Sequence, residues 1–161
     1  MIGERPPEVE ERGEVGHWEI DTVHGSGKAC VVTVVERKSG YVLIGKLEAC
    51  TVAQVNGRNA LRKGHPGKFL TITADNGTEF HGYAELEQGR GGMKFYFATP
   101  HHAWERGSNE NTNGLIRQYL PKRQSMAELT QKECNAIAKK LNNRPRKRHA
   151  YKTPNECFHT N

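Results

Sequence analysis

The stretch Ala29-Cys-Val-Val-Thr-Val-Val-Glu36 is almost continuously apolar and β-branched. Such a run is too short for a buried helix and lacks the alternation that would expose one face. It therefore predicts a strand buried on both sides, in the middle of a sheet. The flanking segments fit that placement. His17-Trp-Glu-Ile-Asp-Thr-Val-His24 alternates, so Trp18 and Ile20 face a core while Glu19 and Asp21 share the opposite side. Gly25-Ser-Gly-Lys28 and Arg37-Lys-Ser-Gly40 are turn sequences, and Tyr41-Val-Leu-Ile-Gly-Lys-Leu47 is a third strand. Three strands joined by short turns make an antiparallel meander.

Beyond the meander the period changes. Thr51-Val-Ala-Gln54 has capping-box spacing and opens a predicted helix to about Lys63. Phe69 to Asp75 is a fourth strand, reached through a helical crossover and therefore parallel to a neighbour. A turn at Asp75–Phe80, a short helix around Tyr83–Gln88 and a fifth strand at Lys94–Ala98 follow. A polar loop then leads into a helix near Glu110, with Ser108 as its expected cap. Thr130-Gln-Lys-Glu133 is a second capping box, whose helix carries Cys134, Ile137, Ala138 and Leu141 as a one-sided apolar stripe. The tail from Arg144 is read as basic and turn-rich. The order βββαβαβαα predicts an α/β fold with a mixed five-stranded sheet flanked by helices. Residues 1–14, with two prolines and a dense run of acids, are an extended acidic lead-in, and residues 15–161 form one domain.

Composition narrows the function. The formal net charge is +6. Residues 1–14 hold five acids against two bases, whereas residues 115–161 hold eleven bases against three acids. A basic half of this kind points to a polyanionic partner. No run approaches a membrane span and no signal-peptide pattern opens the chain, so a cytoplasmic protein is expected, without a membrane partner. Cys30, Cys50, Cys134 and Cys157 are widely spaced, and the expectation is four reduced thiols rather than a zinc site or disulfides.

The acids are the sharper signal. The chain has sixteen glutamates but only two aspartates, Asp21 and Asp75, and both fall on predicted strands, where aspartate is disfavoured. Local rules are broken in this way mainly at functional sites. The first and fourth strands can lie side by side, which would let the two aspartates meet, and Glu110 is the candidate third acid. On a helical wheel Gly114 and Arg117 share the direction of Glu110, while Leu115 and Tyr119 point to the core. Three converging carboxylates repel one another and call for a cation. Hard oxygen ligands suit Mg²⁺ or Mn²⁺, and two such ions about 4 Å apart serve an in-line displacement at phosphorus. Taken singly, Asp75-Asn-Gly is an ordinary turn sequence, and Glu110 could merely complement a helix dipole. Glu19 reads as an ion-pair partner rather than a ligand. His101, His102 and Trp104 read as loop residues.

Gly16-His-Trp-Glu-Ile-Asp-Thr-Val23, Thr73-Ala-Asp-Asn-Gly-Thr-Glu-Phe80 and above all Trp104-Glu-Arg-Gly-Ser-Asn-Glu-Asn-Thr-Asn-Gly-Leu-Ile-Arg-Gln-Tyr-Leu-Pro-Lys122 resemble the catalytic core of insertion-sequence-thirty-type transposases. These are DDE transposases, related to retroviral-type integrases. The resemblance runs from about residue 5 to about residue 158 and includes Asn142-Asn-Arg-Pro-Arg-Lys and Lys152-Thr-Pro-Asn-Glu-Cys-Phe. It implies a ribonuclease-H-like fold, with Asp21, Asp75 and Glu110 as the catalytic and metal-binding carboxylates. It also implies Mg²⁺-dependent cleavage at transposon ends, transfer of a 3′-hydroxyl into target DNA, and a homodimer or higher multimer on the bacterial nucleoid. Arg106, Arg117, Lys122, Arg146, Lys147 and Arg148 are then candidate phosphate contacts. Family members usually carry a helix-turn-helix region ahead of this core, so reading of transposon ends is not expected from this stretch. Two alternatives share these residues: a metal-dependent nuclease of the same fold, and a DNA-binding remnant without chemistry.

Overall fold

A computed structural model describes residues 15–49, 70–74, 94–97 and 107–159. The expected lead-in at 1–14, the helix from Thr51, the turn after the fourth strand, the helix around 83–88 and the loop holding His101, His102, Trp104 and Arg106 lie outside the described residues. Five strands, β1 (His17–His24), β2 (Cys30–Glu36), β3 (Val42–Leu47), β4 (Thr71–Ala74) and β5 (Lys94–Phe97), form one mixed sheet in the order β3-β2-β1-β4-β5. β1 and β3 run antiparallel to β2, whereas β4 is parallel to β1 and β5 parallel to β4. Among the described residues three α-helices follow: α1 (Gly107–Ile116), α2 (Gln131–Asn142) and α3 (Pro154–His159).

The alternation in β1 divides the molecule into two layers. On one face Trp18 and Ile20 join Val32, Val34, Leu47, Ile72, Ala74 and Phe158 of α3. On the other, Val23, Val31, Val35, Val42 and Ile44 pack under Ile116 of α1 and the stripe Cys134, Ile137, Ala138 and Leu141 of α2. β2 is buried along its whole length, as its unbroken apolar run requires. The capping box at Thr130 is formed in both directions, with Glu133 N–H donating to Thr130 Oγ1 and Thr130 N–H to Glu133 Oε1.

Three features depart from the sequence expectation. The tail folds into the short helix α3, whose Phe158 is fully buried between Trp18, at 5.6 Å edge to face, and Tyr41, stacked at 4.4 Å. Burial raises the pKa of the Tyr41 hydroxyl above its ordinary value. Ser108 lies inside α1, which begins at Gly107, rather than capping it. Cys30 is disulfide-bonded, while Cys134 and Cys157 are thiols. The β2–β3 pairing sets Cys30 opposite Leu47; Cys50 lies outside the described residues.

β3 is an edge strand, and α2 closes its open side with two amide side chains. Asn142 accepts from Val42 N–H at 2.8 Å and donates to Val42 C=O at 3.0 Å. Gln131 accepts from Lys46 N–H and donates to Ile44 C=O, both at 2.8 Å. These bonds satisfy backbone groups that would otherwise invite pairing with another strand. Asn142→Ala leaves both Val42 groups without that partner, and a loss of about 2 kcal/mol is expected in urea unfolding. A change below about 0.5 kcal/mol would show that water replaces the amide.

Candidate active site

Asp21 lies in the second half of β1, half-buried, on the face covered by α1. Both carboxylate oxygens are oriented. Thr22 N–H donates to Oδ1 at 2.8 Å, and Asn113 Nδ2 of α1 donates to Oδ2 at 3.1 Å. Across the antiparallel pair Thr33 stands opposite Asp21, and its hydroxyl lies 3.5 Å from both Asn113 Oδ1 and Asp21 C=O, at the limit of hydrogen bonding. Asn113 thus ties α1 to the sheet at the aspartate. Sequence reasoning missed it, because an amide on a helix carries neither a charge nor an apolar signal. The signal was present: position 113 is three residues after Glu110, hence on the same helix face.

α1 carries position 110 one turn before Asn113. Gly114 is exposed, and a Cβ added there would meet nothing within 4 Å, so this face stays open. Leu115 and Tyr119 pack against the α2 side of the core, as the wheel predicts. Arg117 follows the helix, half-buried, and its Nη1 donates to Leu120 C=O at 3.4 Å. The turn beyond α1 docks on the β1–β2 connection: Ser26 N–H donates to Gln124 C=O at 3.0 Å, and Ser26 and Ser125 form a parallel bridge. Gly25 is required there, since a Cβ would fall 2.3 Å from Gln124 O.

β4 is the strand that precedes Asp75 in sequence. Its parallel register with β1 pairs His17 with Thr71, Trp18 with Ile72 and Glu19 with Thr73. Ile72 and Ala74 join the Trp18 layer, so the odd-numbered positions of β4 share Asp21's face, as the 2.9 Å contact between His17 Nδ1 and Thr71 Oγ1 illustrates. Asp75 itself lies outside the described residues, and so does Arg106. Among the described residues no group of three or more His, Cys, Asp or Glu side chains converges as a metal site. Glu19, two residues before Asp21 on the same face, is fully buried in an ion pair with Arg37, which accounts for it as a structural acid.

The candidate phosphate contacts divide by exposure. Lys122 and Lys147 are exposed, whereas Arg146 is half-buried and its Nη2 donates to Leu141 C=O at 3.3 Å. Arg148 belongs to a 3₁₀ turn at Lys147–His149. No helix among the described residues is long and apolar enough to cross a membrane.

No family model matches the chain. Curated relatives do. The transposase for insertion sequence element IS4351 of Bacteroides fragilis is 50% identical over 98% of this chain and 48% of its own length. The transposase InsI for insertion sequence element IS30A of Escherichia coli K12 is 41% identical over 98% of this chain and 41% of its own length. The chain therefore spans about half the length of the curated relatives it matches. In structure it resembles the HTLV-2 integrase catalytic core domain in complex with magnesium, trimeric form, with a TM-score of 0.68 at 23% identity, covering 89% of this chain and 96% of that one. The fold is that of an integrase catalytic core, as the ribonuclease-H-like expectation required.

Proposed function

We infer that this chain, which by sequence belongs with the IS30-family transposases and by fold with the integrase catalytic cores, supplies the catalytic centre of a DNA transposase. The observation that carries the inference is the bond from Asn113 to Asp21, which sets the face of α1 that bears position 110 against the strand that bears the aspartate. The register supplies independent support. β1 and β4 pair at a constant offset of fifty-four residues, the separation between Asp21 and Asp75, and the parity of β4 assigns odd positions to Asp21's face.

Asp21, Asp75 and Glu110 are the proposed ligands of Mg²⁺ or Mn²⁺, and two ions are proposed. The donor set fits, because carboxylate oxygens are the hard ligands these cations take, and Asp21 is oriented by two donors on a partly buried strand. When bound, such ions supply charge stabilisation at a phosphodiester and a lowered pKa for the attacking hydroxyl. The chain's own contribution is placement. Thr22 N–H and Asn113 fix the rotamer of Asp21, Glu110 is proposed to stand beside it on the helix that Asn113 ties to the sheet, and Arg106, Arg117, Lys122, Arg146, Lys147 and Arg148 are proposed to contact DNA phosphates. The reaction is then release of transposon ends and transfer of a 3′-hydroxyl to target DNA, by a homodimer or higher multimer, within the unit 15–161.

A strand-transfer assay with pre-cut end DNA, target DNA and Mn²⁺ tests this function. Joined product supports it. Cleavage without joining identifies a nuclease of the same fold, and binding without reaction identifies a remnant. In the same assay Asn113→Ala is expected to lower activity by about 10- to 100-fold and to raise the Mn²⁺ concentration at half-maximal rate. An unchanged metal requirement would show that Asn113 does not orient the site.

A further inference from the structure

We propose that the loop between α2 and α3 is a second DNA contact, distinct from the Asp21 site, in which Tyr151 is the platform for an unstacked base; this rests on the DNA-processing function above. The loop is held in one shape. Arg146 N–H donates to Lys152 C=O at 2.9 Å and Tyr151 N–H to Arg146 C=O at 2.8 Å, closing its mouth. The Lys147–His149 turn is completed by Ala150 N–H donating to Lys147 C=O at 3.1 Å. His149 Nε2 lies 2.7 Å from Ser39 C=O, which pins the loop to the β2–β3 turn.

Within this frame Ala150 and Tyr151 both adopt left-handed backbone, at φ 52° and 67°. That conformation is unfavourable for any residue with a Cβ and rare for a bulky one. Among the described residues only these two non-glycine positions adopt it. Tyr151 gains no burial in exchange, since it is 68% exposed. Tyr41 and Tyr119, by contrast, are half-buried, the first stacked on Phe158 and the second 5.6 Å beneath the Lys140 ammonium. Strained backbone that displays a side chain to solvent is a mark of function rather than packing.

The surrounding charge identifies the partner. From Asn142 to Asn155 there is no acid, while Arg144, Arg146, Lys147, Arg148 and Lys152 are basic. Lys147 and Lys152, on either side of the tyrosine, are exposed. A displayed ring on a basic loop is the kind of surface that binds single-stranded or locally unpaired nucleic acid, with the ring stacking on a base and the cations following the backbone. The loop is anchored beyond the start of β1, where Arg37 N–H donates to His17 C=O. Asp21 lies about 13 Å further along that strand at about 3.3 Å per residue. DNA at the loop is therefore several nucleotides from DNA at the aspartate.

Fluorescence anisotropy in EDTA, with the full chain and no chemistry possible, tests this on a labelled single strand and on its duplex. Tyr151→Asn keeps a residue that tolerates left-handed backbone but removes the ring. It is expected to lose about tenfold in single-strand affinity, with duplex affinity within twofold and the salt dependence unchanged. Tyr151→Phe retains the parent's affinity. Lys147→Ala lowers the salt slope on the single strand by about 0.7. The inference is overturned if Tyr151→Asn binds the single strand as the parent does, if it weakens both forms equally, or if it instead dissociates a multimer in sedimentation. A parent that binds neither form would overturn the transposase function as well, whereas a parent that binds DNA with Tyr151→Asn unchanged overturns only the platform.

Discussion

Asp21→Asn is expected to reduce Mn²⁺-dependent DNA joining by about a thousandfold or more, while DNA affinity in EDTA stays within about twofold of the parent. The substitution keeps the shape of the side chain and removes its charge. The amide oxygen still accepts from Thr22 N–H, the bond that holds Oδ1 at 2.8 Å. Its nitrogen would face the Asn113 donor, a conflict relieved when the Asn113 amide turns over and presents its oxygen. Stability should therefore change by no more than about 1 kcal/mol. Glu110→Gln is expected to give the same loss, since position 110 stands one turn before the residue that touches Asp21. The double variant should be no worse than either single one, because carboxylates that share ions act as a unit. Joining at the parent's rate by either single variant would sink the site assignment.

The parts of the fold that were legible in the sequence are those whose cause is local. Side-chain alternation put Trp18 and Ile20 on one face of β1 and Glu19 and Asp21 on the other, and the structure follows it. The Thr130 box and the stripe from Cys134 to Leu141 fixed α2 in the same way. α3 was not legible. Six residues with a proline, an asparagine and a histidine have little helical signature, and what holds them is the placement of Phe158 between Trp18 and Tyr41, more than a hundred residues away in sequence. The candidate site divides similarly. Asp21 stood out because a strand tolerates aspartate poorly. Asn113 did not, because an amide on a helix acquires its role only when the sheet brings Asp21 beneath it. The acid Glu36 is another such case: it is fully buried and accepts from Gly16 N–H and from the N–H and hydroxyl of Ser39, so it serves the β2–β3 turn rather than chemistry.

Arg37→Met is expected to destabilise the fold by about 3–5 kcal/mol. Arg37 and Glu19 are both buried, and Arg37 Nη1 donates to Glu19 Oε2. Removing the guanidinium takes the Arg37 cation from a fully buried carboxylate on the α1 side of the sheet, two residues from Asp21 on the same strand. The surviving charge has no water to reach, and that desolvation, rather than the lost attraction, sets the size of the effect. The distinction is measurable. Glu19→Met combined with Arg37→Met removes both charges and fills similar volume, so most of the stability should return, to within about 1 kcal/mol of the parent. Urea unfolding of the parent, the two single variants and the double variant gives the coupling directly. If the double variant were as unstable as Arg37→Met, the pair would be holding the β1–β2 geometry itself, and Asp21 should then lose its Asn113 contact along with it. If Arg37→Met alone were neutral, water must reach Glu19, and the acid would again be open to a role in the metal site.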